Sequence, residues 1–274
     1  MRKSFLQWVG CLSFIFLGAL QQNTFAQSME IGGMVGFTNY LGDLQTNNIE
    51  IGELKVIYGA FARFGFGRTV ALKGFYHQGK ISGSDLNSIA PELRRRNLNF
   101  QTDLHALGSQ LEITFSHFGE RRKSIASSYF FGGVTQMFFN PKTKYQDQWV
   151  ELRELGTEGQ GMEGMKPKYA LNTLTFPLGL GMKVNFTRMT SLGFEAGIHL
   201  SQTDYLDDVS GDYPNLLLLS AHNPLAATLS YREPEYDDEA SATPNSLQRG
   251  NPKDKDMIVF VELNFSVYLF RPLR

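Results

Sequence analysis

Cysteine, long apolar runs and an excess of either charge are missing from most of this chain. Cys11 is the only cysteine in 274 residues. It lies within the one strongly apolar stretch, residues 5–20, which follows Arg2 and Lys3 and precedes Thr24-Phe25-Ala26. A basic start, a short apolar core and small residues where a signal peptidase reads mark a secretory signal peptide over residues 1–26, cleaved after Ala26. A transmembrane anchor is the alternative, but the stretch is short of the about 20 apolar residues that a spanning helix needs. Cys11 comes too early to be a lipoprotein acylation site. Cleavage removes the only thiol, which excludes disulfides and thiol chemistry from residues 27–274.

The near balance of charge excludes another class. Without Arg2 and Lys3, 24 basic residues face 27 acidic ones, a net charge near −3. Nothing in that balance points to a nucleic acid. No later segment has enough consecutive apolar residues to form a membrane helix. The mean hydropathy of −0.23 suits a soluble chain, but it also suits a membrane barrel, because half of each barrel strand is polar.

What is present is alternation. Over residues 173–186, Leu174, Phe176, Leu178, Leu180, Met182, Val184 and Phe186 fall on one face of a strand. Thr173, Thr175, Pro177, Gly179, Gly181, Lys183 and Asn185 fall on the other. That is about twice the length of an ordinary soluble strand, and the pattern recurs. Eight strands are expected, over residues 30–40, 54–64, 69–80, 102–118, 125–140, 173–186, 191–202 and 257–270. The facing of the fifth is ambiguous, since aromatic residues occur on both sides. Links two–three, four–five and six–seven are short, and the others are long. The pattern predicts an all-β, eight-stranded antiparallel up-and-down transmembrane β-barrel with short periplasmic turns, long extracellular loops and a polar interior. A lipocalin also has eight strands, but it is apolar inside, whereas here the polar face carries charge.

With those facings, Glu30, Arg63, Lys73, Glu112, Lys183, Glu195 and Glu262 point inward. Eight strands leave room only for side chains, and an unpaired buried charge costs several kcal/mol. These seven should pair and close the lumen. His77 and His199 are expected inward, His105 and His117 toward lipid or its interface, and His222 in a loop. His105 and Ser109 are the best match to a base and nucleophile of a lipid hydrolase, but about 13 Å separates them along a strand. Asp204, Asp207, Asp208 and Asp212 form an acidic cluster. It reads either as a calcium site without EF-hand spacing or, preferably, as a solvated loop. Arg94, Arg95 and Arg96 read equally as a lipopolysaccharide phosphate site or as a solvated loop. Residues 231–250 are expected to be mobile. No cofactor is expected.

Five strings occur in a recognisable order: Asn39-Tyr40-Leu41-Gly42-Asp43-Leu44, Arg96-Asn97-Leu98-Asn99-Phe100, Asn140-Pro141-Lys142, Gly156-Thr157-Glu158-Gly159-Gln160-Gly161, and Thr203-Asp204-Tyr205-Leu206-Asp207-Asp208-Val209-Ser210. Together they resemble the PorG-like outer-membrane barrels. That resemblance implies a type IX secretion component, embedded in outer-membrane lipid, that positions a periplasmic ring made of a lipoprotein and its partner. It implies no catalytic residues. The family-like positions are Tyr40, Gly42, Asp43, Gly156, Gly159, Gly161, Asp204, Tyr205, Asp207 and Asp208. A periplasmic ring would meet the short turns, and the basic turn Arg121-Arg122-Lys123 is the favoured contact for an acidic partner.

Overall fold

The computed structural model describes residues 27–45, 49–120, 123–244 and 246–271. The signal-peptide reading, Arg121 and Arg122 lie outside the described residues, as does the side chain of Lys123. Among the described residues nine strands form: β1 (Gln27–Leu41), β2 (Lys55–Phe66), β3 (Val70–Ser84), β4 (Asn99–Glu120), β5 (Lys123–Tyr145), β6 (Gln148–Glu151), β7 (Asn172–Asn185), β8 (Thr190–Ser201) and β9 (Met257–Phe270). All pairings are antiparallel, and β1 pairs with β9 while β4 pairs with β5. Eight strands therefore close on themselves with no free edge, and β6 hangs from the end of β5 as a short hairpin.

That hairpin is absent from the eight-strand reading. Its turn is Gln146-Asp147, and both residues have positive φ, 47° and 60°. Two left-handed residues match the twist of a tight hairpin, but Gln-Asp lacks the Gly or Asn that would have signalled it. β5 itself resolves its facing, with Phe130, Val134 and Phe138 exposed and Tyr129, Phe131 and Phe139 buried.

The outer wall is apolar. On β9, Val261, Leu263, Phe265, Val267 and Leu269 are 38–54% exposed. Leu174, Phe176, Leu178, Leu180 and Met182 continue this belt on β7, and Leu107, Leu111, Ile113 and Phe115 on β4. A band this continuous is solvated only by lipid, so the barrel spans a membrane. Toward the long-loop end the wall becomes charged, where Asp103 lies 3.3 Å from Lys80 and 3.1 Å from Lys142.

The interior is layered, which corrects the expectation of a wholly polar lumen. The half near the short turns is polar. Above it lie Met34, Phe61 and Phe75 on one side and Tyr129, Phe131 and Phe260 on the other. Gly179 and Gly197 are register partners beneath the Phe131 ring. A Cβ at Gly197 would come within 2.9 Å of that ring, so glycine lets the aromatic layer fill the bore. At the long-loop end, Tyr40, Ile81, Phe100, Leu104, Phe139 and Ile258 form an apolar core with Leu44, Leu98, Leu206 and Val209 from the connections. There the inward residues of the strands pack against folded loops. Four short helices belong to these connections: α1 (Pro91–Arg96), α2 (Leu152–Leu155), α3 (Leu216–His222) and α4 (Pro224–Ser230).

Candidate functional site

Two constructions stand out, a charged plug in the bore and a folded cap over its long-loop end. The plug is built from inward positions on seven of the eight barrel strands. Arg63 on β2 is central. Its guanidinium reaches Glu112 at 2.9 Å, Glu195 at 3.3 Å and Glu30 at 3.4 Å. Lys73 lies 2.8 Å from Glu195 and 3.5 Å from Glu262. Lys183 lies 2.7 Å from Glu30. All seven inward charges named from the sequence thus meet in one network.

Polar neighbours complete it. Tyr129, Gln110 and Asn264 donate to Glu195 at 2.8, 3.1 and 3.2 Å, and Ser266 donates to Glu30 at 2.8 Å. The Phe61 ring lies under both Arg63 and Lys73, with centroids at 5.1 and 4.8 Å. Desolvated charges need this degree of partnering. His77 adds a further member, with Nε2 3.1 Å from Glu262; the strand-facing argument finds it only as an inward histidine. Glu30, Arg63, Lys73, Glu112, Glu195 and Glu262 are each buried at this level.

The cap is assembled from the connections. Tyr40 lies beyond the last belt residues and points up, with its hydroxyl 2.6 Å from Asp207 Oδ2 and 2.7 Å from Asp256 Oδ1. Val209 N–H donates to Asp207 and Leu206 N–H to Asp256, both at 2.8 Å. Asp43 accepts Asn251 N–H at 2.9 Å. Gly42 fits because any Cβ there would strike the Tyr40 hydroxyl and Asp256. Gly156 ends α2 in the left-handed region at φ 65°, and Gly159 and Gly161 also have positive φ. Next to them, Glu158 accepts Ser210 N–H and Gly211 N–H at 2.9 and 3.1 Å, and Tyr205 donates to Glu158 at 3.4 Å.

Arg249 ties these pieces together. It is buried, donates to the Asp208 carbonyl at 2.7 Å and Glu158 at 3.0 Å, and reaches the Ser230 carbonyl at 3.3 Å. Asp208 also accepts from Thr157 and, at 2.6 Å, from Tyr169. Burial pushes Asp43 and Asp208 up to about 6 and Asp204 up to about 7. Asp207 and Asp256 are also raised well above the usual carboxylate range, first by burial and with neighbouring carboxylates adding to it.

Several sequence expectations are corrected here. Asp204, Asp207 and Asp208 are buried and only Asp212 is exposed, so the cluster is not a solvated loop. Among the described residues no group of three or more His, Cys, Asp or Glu side chains converges on a metal position. The Arg94–Arg96 run is no free phosphate site. Arg96 is sequestered on Asp85 at 2.6 and 2.7 Å, Arg95 pairs with Glu233 at 3.0 Å, and Arg94 bonds the Ile89 carbonyl at 3.3 Å. The 231–250 stretch is held near both ends, by Arg232 donating to Thr143 at 3.0 Å and by Arg249 donating to Glu158 at 3.0 Å, while residues 234–236 and 246–248 between them are exposed. The sequence offers only a weak signal for Arg249, which lies in an acidic stretch as one of few cations.

His105 is exposed with Nδ1 2.8 Å from the Tyr76 hydroxyl, and no described contact joins it to Ser109. His77 and His199 are buried, and His117 and His222 exposed. An open groove of about 510 Å³ at the cap edge is lined by Glu53, Lys55, Lys144, Asp147 and Trp149 among others. Its charges are already paired, Lys144 with Asp147 at 2.9 Å and Lys55 with Glu53 at 3.9 Å.

Solved structures with a similar chain path include Neisserial surface protein A, at 6% identity and a TM-score of 0.42, covering 87% of this chain and 96% of that one. Ail of Yersinia pestis matches at 8% identity and 0.39, covering 90% and 100%. The N-terminal barrel domain of Pseudomonas aeruginosa OprF matches at 11% and 0.32, covering 87% and 96%. At these scores the likenesses are descriptive, and the eight-stranded closure rests on the strand pairing itself. No curated protein matches the sequence. The model of a family described as a domain of unknown function, DUF6089, matches residues 10–223, and the chain belongs to that family.

Proposed function

We propose that this protein is a non-enzymatic, non-conducting outer-membrane barrel that serves as a component of a type IX secretion system, positioning a periplasmic ring. One observation carries the reading. Four of the five strings that resemble PorG-like barrels interlock in the cap: Tyr40 with Asp207, the Asp43 carbonyl with Arg96 at 2.8 Å, and Thr157 with Asp208; Asn140-Pro141-Lys142 lies on β5, outside it. The resemblance therefore rests mainly on one folded unit rather than on unrelated loop fragments. A bore filled by paired charge below and an apolar core above leaves the protein's surfaces to do its work. In this orientation the cap faces outward and the turns 67–69 and 186–189 face the periplasm.

The test is a mild-detergent pull-down of the tagged protein from outer membranes, with mass spectrometry of what accompanies it. Recovery of the ring lipoprotein and its partner supports the secretion reading. Recovery of the barrel alone at matched yield removes it. That outcome favours a stand-alone structural or adhesive barrel working through its cap, where Ile89, Leu217 and Leu247 are strongly exposed.

A further inference from the structure

The Tyr40 hydroxyl has one proton but two carboxylate neighbours at hydrogen-bond distance, 2.6 Å to Asp207 and 2.7 Å to Asp256. It can donate to only one. The second oxygen pair holds at that distance only if a further proton lies between them, on the carboxyl that the hydroxyl does not donate to. All three side chains are almost fully buried, where a bare oxygen–oxygen contact is costly. We propose that the cap is locked by this buried proton, shared across the Asp207–Tyr40–Asp256 bridge, and that its loss frees the 204–256 connection from the barrel mouth.

The surroundings favour keeping the proton. Asp43, Asp204 and Glu158 present further carboxylates to the bridge region, and Asp208 follows Asp207 in the chain. Both oxygens of Asp204 lack a hydrogen-bond partner although the residue is 2% exposed. The opposing cations are committed elsewhere: Arg96 to Asp85, Arg249 to Glu158 and Asp208, and Lys255 reaches the Pro252 carbonyl at 3.3 Å. Tyr169 also faces this region and donates to Asp208. Among the described residues no cation lies on the bridge itself. The two bridge carboxyls are covalently in the connection that they hold, and each also accepts a backbone N–H from it. Protonation is thereby coupled to the path of residues 206–209.

The bridge geometry supplies a specific test. In each aspartate one oxygen faces Tyr40 and the other accepts a backbone N–H. Asparagine can reproduce the protonated form, its Oδ1 keeping the N–H and its Nδ2 donating to the tyrosine oxygen. Asp256→Asn and Asp207→Asn should each hold the cap closed without the shared proton. The double variant offers Tyr40 two donors and no acceptor, so it should open. The readout is hydrogen-exchange protection of the Leu206 and Val209 amides in the full-length protein in detergent micelles from pH 5 to 9, normalised to unstructured peptide at each pH. In the unsubstituted protein, protection should fall with pH, the bridge adding up to about tenfold per pH unit once its proton leaves, the limit for one linked proton, to the fall that Asp43, Asp204 and Asp208 give. Each single variant should flatten that fall, and the double variant should lose protection throughout. Flat protection in the unsubstituted protein, or single variants that keep its profile, would overturn the proposal. Protection that rises with pH when calcium chloride is added would also overturn it, replacing the proton with a bound cation.

Discussion

Glu195 and Glu262 are direct register partners on β8 and β9, both pointing into the bore. Like charges directly opposite each other are destabilising. Lys73 reaches them from β3 and lies within 3.5 Å of each. Lys73→Met should therefore leave two buried carboxylates facing each other, at a cost of about 3–5 kcal/mol. Urea unfolding of the detergent-solubilised barrel, followed by the folded-to-unfolded mobility shift on a gel, reads this. In a Glu195→Gln/Glu262→Gln background the same substitution should cost much less, because the charge it stranded is gone. Equal costs in both backgrounds would separate Lys73 from the glutamate pair.

The outer wall makes a different prediction. Leu263 projects from the middle of the β9 belt and is half exposed. If lipid covers it, Leu263→Arg should cost about 2–4 kcal/mol, the range for a cation near the bilayer midplane. Leu217→Arg in the cap should be nearly neutral, since Leu217 is exposed on the seven-residue α3. Folding yields into lipid vesicles at matched urea concentrations would compare the two. Similar penalties would place both residues in the same medium and contradict the belt.

These contrasts show which parts of the fold the sequence makes legible. Period-2 alternation exposes the belt and the plug together, because a strand residue such as Glu262 is fixed inward by outward Val261 and Leu263. The β5 facing is unreadable for the same reason: Phe130 and Phe131 offer the same signal to opposite sides. The cap is largely hidden. Its order comes from contacts over long sequence separations, Tyr40 with Asp256 and Asp43 with Asn251, which no local pattern encodes. Composition alone misleads there, since an acidic loop looks solvated until Arg249 and the backbone N–H groups that bury it are known. The apolar upper bore is missed because alternation shows which face a residue takes and not whether a loop covers it.

Arg249 is the test of whether the cap is a unit apart from the barrel. Arg249→Met keeps the volume but leaves Glu158 and Asp208 without their cation. Breaking a buried pair in this way costs about 3–5 kcal/mol. The barrel ladder does not depend on this arginine, so the loss should stay local. Limited proteolysis should nick residues 231–250 rapidly in the variant while the barrel keeps its folded gel mobility. Loss of both together would mean that cap and barrel unfold as one.

The cap should also respond to pH through Asp204. Its buried carboxyl is raised to about 7 by desolvation, from an ordinary value near 3.8. A raised carboxyl binds its proton more tightly in the folded cap than in the unfolded chain. The stability it contributes is complete below about pH 4 and is lost as pH rises through 7. Asp43 and Asp208, both raised to about 6 by burial, act in the same direction. The cap should therefore resist opening better at pH 5 than at pH 8. Asp204→Asn removes the charge that must be buried at pH 8, where it should strengthen the cap by roughly 1–3 kcal/mol. At pH 5 the carboxyl is already largely protonated and the substitution should change little. Exchange protection of the Ser210 and Gly211 amides, which donate to Glu158 beside it, would report both conditions. A gain that is equal at the two pH values would show that Asp204 acts through packing rather than through its charge.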